Sequence, residues 1–584
     1  MRKRIDLGAD WKKAIFDGGD KNFDLPLILP IGDMPEQAIY SHALSTDAQD
    51  KNCVWFLELR AVTGRVRVLV DGQEAAAFSA FAAPVIVELT PLIVKGTAQE
   101  LTLEIIPAAG PDGLFTLGGA ALICTERSHF STEQGVSPLE IRPVFSESGV
   151  GLRVSADIVN PNNYDVVIFR LYSPDGILLD TRNVRPTDCR ADFFLAAPML
   201  WEGQHANYRY RVDAVLQRDA AVLDDVSVTF GVRDAELTKD GFYSLNGIKL
   251  PLSGAYLNNV KSVGDAVDAV TALDANAVFT GTLDPGGRLL DVCDRLGLML
   301  VYRFPCTGDE KDVEELKRLL PLLRTHPCVA FITYRGEDLG YAKAFCRAVH
   351  EGAPGVFCAG ESDALTEDSL SAAVPDALLL SVDTARFDHD FDALAQRFGA
   401  LCEAHPEYRY LVFAKPPECI YDRHSAGARR PDCSQEYFSL WHEKVWGVFG
   451  NRRAVVAYCA GPLTDADPAR ERTGLMTCDY DLKKDAFWFY RAQISLEGFV
   501  RMASLPSSTT SKYVDVKCYS NLQPLTLTVG GKTNKKRQCQ RLSDSVYLFK
   551  DVKLRRKNNT LVLGGGNAAD SAVIFRSRSK LEKK

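Results

Sequence analysis

The 584-residue chain has no excess of positive charge: 68 Lys and Arg stand against 76 Asp and Glu, a formal net charge of −8. That balance removes the broad electrostatic footprint of a nucleic-acid binder and leaves the basic end, Lys580 to Lys584, as a solvated tail. Long apolar runs are missing as well. Nothing approaches the ~18 residues of a membrane helix. The opening MRKRIDLGADWKK has the charge of a signal peptide's first region without the apolar stretch that follows one. A protein retained in the cytoplasm, with no membrane or nucleic-acid partner, is therefore expected. Metal-type spacings are also absent, because the fifteen cysteines, an odd number, are scattered singly from Cys53 to Cys539 with no CxxC pair and no Cys/His cluster. They are expected to be small buried hydrophobes in a reducing compartment, with no disulfide, metal or cofactor. What the chain does have is ordinary globular composition, 46% hydrophobic and 25% charged. Its length predicts three to five domains at roughly 100–200 residues each.

Residues 1 to about 235 carry short β-type runs: Val54–Leu59, Arg65–Val70, Val85–Leu89, Leu101–Ile106, Gly151–Val159, Val166–Tyr172, Tyr208–Val215 and Val226–Val232. Turn signals separate them. Asp71-Gly72 predicts a type I′ hairpin turn, in which both central residues need positive φ, and Ser173-Pro174-Asp175-Gly176 marks another turn. The spacing predicts two β-sandwiches with a boundary near residue 135. From about 499 the pattern returns in Val514–Tyr519, Leu525–Val529, Val546–Phe549, Thr560–Leu563 and Ala572–Phe575, a third β-domain.

The middle alternates short apolar strands with amphipathic helical stretches, the grammar of a parallel sheet. Eight strands are predicted: Leu250–Tyr256, Ala277–Thr280, Leu298–Arg303, Val329–Tyr334, Gly355–Ala359, Ala377–Val382, Tyr410–Ala414 and Val455–Ala460. Helical segments such as Asp265–Leu273, Arg288–Leu296, Val313–Leu323, Tyr341–His350, Phe391–Cys402 and Gln435–Phe449 fall between them, with apolar residues three and four apart. Eight strands in about 250 residues suggest a (β/α)8 barrel, with any chemistry at the carboxyl ends of the strands.

Several stretches, in collinear order, resemble the family 2 glycoside hydrolases of the β-galactosidase and β-glucuronidase type. They are the opening RKRIDLGADW, Pro198-Met199-Leu200-Trp201, Phe230-Gly231-Val232-Arg233 with Gly241-Phe242 and Leu245-Asn246-Gly247, and Cys293-Asp294-Arg295-Leu296-Gly297-Leu298. Further on come His326-Pro327-Cys328-Val329, Ser434 to Tyr437, Trp441-His442-Glu443, Gly474 to Thr477, Lys484 to Phe487 and Asp515 to Asn521. The resemblance implies a sugar-binding-like jelly roll (1–135), an immunoglobulin-like sandwich (136–235), a catalytic TIM barrel (236–498) and a C-terminal immunoglobulin-like sandwich (499–584). It also implies retaining hydrolysis of β-glycosides, which needs two carboxyl groups about 5–5.5 Å apart, an acid/base and a nucleophile.

In that family the acid/base Glu ends the fourth strand in an Asn-Glu pair and the nucleophile Glu ends the seventh. Carried over, the acid/base position is Glu337, preceded by Gly336 instead of Asn. Asn at that place contacts the sugar 2-hydroxyl, so its loss removes binding that strengthens in the transition state. Arg335, two residues earlier, would lower the pKa of a carboxyl on the same side when a general acid needs it raised. The seventh strand, Tyr410 to Ala414 followed by Lys415-Pro416-Pro417, puts Ala414 or Lys415 at the nucleophile. Glu418 is the nearest substitute, several ångströms past the strand end at roughly 3.3 Å per residue. Other sugar-contacting positions have changed too: the first strand reads Gly254-Ala255-Tyr256-Leu257-Asn258, the second Ala277-Val278-Phe279 followed by Thr282, and Arg303 follows the third where Glu is usual. Ala460-Gly461-Pro462 replaces an aromatic after the eighth strand, and none of the six Trp maps to a strand end.

Each feature has a plainer reading. Glu337 either faces the pocket or pairs with Arg335 or Arg303; Asp338, Glu361 and Asp383 are either a second carboxylate site or ordinary loop acids. Arg303, Arg335 and Lys415 either bind an acidic ligand such as a uronate or phosphate or neutralise those acids, while His326, His424, Trp11 and Trp55 read as structural. Candidate catalytic residues are thus Glu337 and Glu418, and candidate substrate-binding residues Asn258, Arg303, Arg335, Asp383 and Lys415. The expected ligand is a β-glycoside, and a homo-oligomer is left open. Three functions stand: a glycosidase homologue with impaired double displacement, a non-catalytic carbohydrate-binding or scaffold protein, and a hydrolase using a relocated carboxylate. The third, pairing Glu337 with Glu418 or Asp383 in an inverting reaction, needs carboxyls about 6.5–9.5 Å apart.

Overall fold

The computed structural model describes all residues except 1, 14–20, 47–52, 81–82, 109–113, 132–137, 239–240, 259–262, 284–287, 307, 337, 363–374, 385–389, 426–430, 451, 468–471, 534–538 and 578–584. A closed eight-stranded parallel barrel is flanked by antiparallel sandwiches, and the buried apolar side chains fall into four separate cores. In the N-terminal jelly roll a four-stranded and a six-stranded sheet enclose Trp11, Tyr40, Trp55 and Val68, all at most 1% exposed. Its hairpin between Gly64–Val70 and Gln73–Ala80 turns at Asp71 and Gly72, whose φ values of 48° and 77° are both positive, as the type I′ turn requires. The immunoglobulin-like sandwich uses its predicted turn as well: Gly176, at φ 80°, donates its N–H to the Ser173 carbonyl and returns Asp165–Tyr172 into Leu178–Val184.

The barrel strands are β1 (Leu252–Leu257), β2 (Ala277–Thr280), β3 (Met299–Arg303), β4 (Val329–Tyr334), β5 (Phe357–Ser362), β6 (Ala377–Val382), β7 (Tyr410–Ala414) and β8 (Val455–Pro462). The helices are α1 (Val263–Ala272), α2 (Arg288–Leu296), α3 (Glu310–Leu323), α4 (Leu339–Gly352), α5 (Phe391–Ala404), α6 (Gln435–Phe449) and α7 (Asp485–Ile494). Strands buried on both faces read as continuous apolar runs, which is why β2, β4, β6 and β7 have the predicted bounds. The fifth strand differs. Predicted as Gly355–Ala359, it begins at Phe357 and runs on through Glu361 to Ser362, because β4 and β6 both continue beside it, pairing Tyr334 with Gly360 and Ser362 with Leu380. A charged residue in that run hides the strand from a reading based on apolar continuity.

The frame grips the barrel at its amino-terminal end. Trp201 is fully buried and donates its indole N–H to the Asp294 carbonyl at 2.9 Å, while Gln204 donates to Ala275 O at 3.0 Å. Gly297 lies so close to Gly203 that a Cβ there would sit 2.0 Å from the Gly203 carbonyl carbon. Asp294 closes this corner: one carboxylate oxygen meets His326 Nδ1 at 2.7 Å and the other accepts the Cys328 N–H at 3.0 Å. On the other flank, Tyr519 of the C-terminal sandwich donates its hydroxyl to Glu443 of α6 at 2.9 Å.

Candidate active site

Inward-facing side chains of β1, β3, β5 and β7 meet at the carboxyl end of the barrel: Tyr256, Arg303, Glu361 and Phe413. Arg303 donates Nε and Nη2 to the two oxygens of Glu361 at 2.9 and 2.8 Å, and Thr333 of β4 donates its hydroxyl to the same carboxylate at 2.7 Å. The guanidinium lies over the Phe413 ring, 4.7 Å from its centroid, and 5.6 Å from that of Tyr256; the two rings meet edge to face at 5.2 Å. A planar cation held by a fork of two hydrogen bonds and an aromatic face is well satisfied. The side chains of Arg303 and Glu361 are only 21% and 10% exposed. The floor of the mouth is therefore a closed ion pair, and Glu361 is committed as a hydrogen-bond acceptor.

At the end of β7 the backbone of Lys415 donates to Val382 O at 2.9 Å, Ala414 is fully buried and Lys415 is exposed. Lys415 follows Phe413 by two residues, so continued strand alternation puts the two on the same side. Gly461 at the end of β8, with φ 103°, comes so near that a Cβ would lie 2.9 Å from Ala414 O and from Pro416 Cδ. A bulky aromatic at this position does not fit this approach. Glu418 is half-exposed, and its carboxylate sits 3.8 Å from Arg472. The same segment is pinned by Cys419, whose N–H reaches Arg472 O at 2.8 Å. Behind it Lys484, wholly buried, bonds Asp465 at 2.7 Å. Burial pushes the Asp465 carboxyl above its ordinary range, against the pull of the lysine.

Glu337 lies outside the described residues, but both its neighbours are placed. A Cβ on Gly336 would fall 2.7 Å from two ring carbons of Tyr341, so an Asn there requires Tyr341 to move. Tyr341 is held in turn, donating its hydroxyl to Asp312 at 3.0 Å. Burial, with Cys306 and Asp312 alongside, pushes its phenol far up, so it remains a neutral donor. Asp338 caps α4 by accepting the Tyr341 N–H at 2.7 Å. Arg335 and Asp383 follow β4 and β6 at the rim. Asn258 after β1 uses its amide on the backbone of Thr464, donating to the carbonyl at 2.9 Å and accepting from the N–H at 3.4 Å. Thus the structure joins Arg303 to Glu361, a partner that the strand prediction left past the end of the fifth strand, while Glu418 pairs with Arg472. Among the described residues, one group has metal-type donors within reach of each other, Asp291, Asp294 and His326. Its centre is the Asp294 clamp already described.

Eight parallel strands closed into a barrel, with its mouth at their carboxyl ends, and three β-sandwich cores beside it make up the architecture. A scan against protein-family models finds no match. A stretch of 152 residues is 32% identical to a β-galactosidase of Thermoanaerobacter pseudethanolicus, covering 23% of this chain and 20% of that protein. A β-glucuronidase of Bacteroides fragilis is 21% identical over 529 residues, 78% of this chain and 74% of the relative. Among solved structures, an FMN-binding β-glucuronidase from Facaelibacterium prausnitzii L2-6 superposes with a TM-score of 0.88 at 20% identity over 99% of both chains. Bacteroides uniformis β-glucuronidase 2, covalently bound to cyclophellitol-6-carboxylate aziridine, gives 0.84 at 17% identity over 99% of this chain and 81% of that one. The chain is thus similar in sequence to a β-galactosidase and a β-glucuronidase, and it shares the fold of β-glucuronidases of known structure. No helix of the described residues is long and apolar enough to cross a membrane.

Proposed function

We propose that this protein is a family 2 glycosidase homologue whose barrel mouth binds a carbohydrate while the double displacement is impaired. The observation that carries the reading is the end of β7, where Lys415-Pro416-Pro417 follows the strand Tyr410–Ala414 and no carboxylate stands. Two further facts support it. Glu361 is locked by Arg303 and Thr333, and Gly336 packs on Tyr341 where the family has an Asn. Loss of a nucleophile costs roughly a millionfold in turnover in a hydrolase where it has been measured, so binding alone does not rescue catalysis. Glu337 keeps the acid/base position and Glu418, tied to Arg472, is the poorer candidate for a second carboxylate. Rim cations Arg335 and Lys415 favour an acidic sugar, with Asn258 and Asp383 completing the rim. Domain boundaries near 135, 235 and 498 and a cytoplasmic location belong to the same proposal.

The test is turnover of nitrophenyl β-galactoside, β-glucuronide, β-glucoside and β-mannoside, repeated with a disaccharide whose leaving group needs acid assistance, by wild type and Glu337→Gln side by side. The expected result is no turnover by either, with free galactose or glucuronate raising the melting temperature. Disaccharide hydrolysis by wild type that disappears in Glu337→Gln shows instead an active enzyme with a relocated carboxylate.

A further inference from the structure

Two thiols meet in the barrel wall behind the mouth. Cys346 lies on α4 and Cys358 is the second residue of β5; their sulfurs are 2.8 Å apart and both residues are buried. Both elements are held firmly. The Cys358 N–H is bound by Asp376 Oδ2 at 2.7 Å, and β5 is paired on both edges. Helix α4 is capped by Asp338 and packs Phe345 and Val349, each fully buried, into the barrel core. The sulfurs are twelve positions apart in the chain, so the contact arises where a helix packs against the strand it leads into.

We infer that Cys346 and Cys358 are an oxidisable pair, a modification site that becomes a disulfide joining α4 to β5 when the protein meets a peroxide. Two S–H bonds break, one S–S bond forms, and hydrogen peroxide takes up the two electrons and two protons as two waters. The first sulfur attacks a peroxide oxygen to give a sulfenic acid and water, and the second displaces water from it. Burial, with Cys346 alongside, pushes the Cys358 thiol well up, so both sulfurs stay reduced in the absence of an oxidant. The oxidant reaches them through local opening of α4. The bond cross-links the strand that carries Glu361 and restricts the unfolded chain, raising the melting temperature by roughly a few degrees.

Trypsin separates the pair cleanly: Cys346 falls in Ala344–Arg347 and Cys358 in Ala348–Arg386, neither peptide holding another cysteine. The full-length native protein is treated with hydrogen peroxide, alkylated in denaturant and digested without reductant. The two peptides are expected as one species, lighter than their sum by two hydrogens and split by dithiothreitol, in a protein that melts higher than its reduced form. Separate alkylated peptides, or either one joined to the peptide of Cys306, overturn the assignment. Cys346→Ala and Cys358→Ala, each leaving a small apolar side chain, are expected to abolish both the cross-link and the rise in Tm. A rise that survives in either variant also overturns it.

Discussion

The two ends of the barrel are built from the same eight strands under different rules. At the amino-terminal end the stretches that resemble family 2 hydrolases, Cys293 to Leu298 and His326 to Val329, prove to be one clamp. Asp294 there spends its carbonyl on Trp201 and its carboxylate on His326 and Cys328. At the carboxyl end the close contacts run between neighbouring strand ends: Arg303 with Glu361, Gly461 with Ala414, Gly336 with Tyr341. Likeness thus resides in the frame, and fold-level likeness does not transfer chemistry.

The largest expected effect comes from the mouth. Arg303→Met leaves Glu361 buried with only Thr333 for company and should cost about 3–5 kcal/mol, whereas adding Glu361→Leu should restore most of the loss because an apolar pair replaces the ion pair. Urea denaturation of the single and double variants checks this; equal destabilisation of both breaks the contrast between a closed pair and a functional carboxylate. At the other end, Asp294→Ala strands the His326 ring and the buried Cys328 N–H and should cost about 2–3 kcal/mol, with ligand-induced Tm shifts unchanged.

A smaller effect depends on pH. His442 of α6 is wholly buried, its Nδ1 2.9 Å from the Tyr490 hydroxyl, and burial, with Lys484 nearby, holds its pKa well below the usual imidazole value. The unfolded chain therefore binds a proton that the folded chain refuses, so stability contributed by neutral His442 is present above the ordinary imidazole pKa and lost as pH falls below it. The slope is at most about 1.4 kcal/mol per pH unit. His442→Gln should show a shallower fall in Tm between pH 7.5 and 5.5 than wild type. Smallest in stability, Lys415→Gln should change unfolding by no more than about 0.5 kcal/mol, as an exposed side chain does. It should weaken glucuronate binding several-fold more than galactose binding; equal loss for both sugars removes the preference for an acidic ligand.

Much of the frame is legible in the sequence, because period and turn chemistry are local. Asp71-Gly72 fixes a hairpin, and apolar runs such as Val329–Tyr334 fix barrel strands with their ends. Elements set by neighbours are harder to read. Gln73–Ala80 is an alanine-rich strand that owes its place to the turn before it, Lys3–Asp6 is an exposed charged edge, and α7, with the aromatics of Asp485–Ile494 buried around most of its circumference, has no amphipathic stripe to read. At the mouth, the sequence names candidate residues, but the Arg303–Glu361 contact joins residues 58 positions apart in the chain and no local pattern foretells it.

The most direct test of the central claim uses the cyclophellitol-6-carboxylate aziridine found covalently bound to the Bacteroides uniformis relative. An aziridine is opened by a carboxylate placed to attack the carbon that mimics the anomeric centre. Incubation of the intact protein with this compound, read by mass spectrometry, should give no adduct, while glucuronate at saturating concentration still raises the Tm. A single stoichiometric adduct mapped to Glu418, Glu361 or Asp383 would contradict the account, because it would show a working nucleophile in a mouth proposed to lack one.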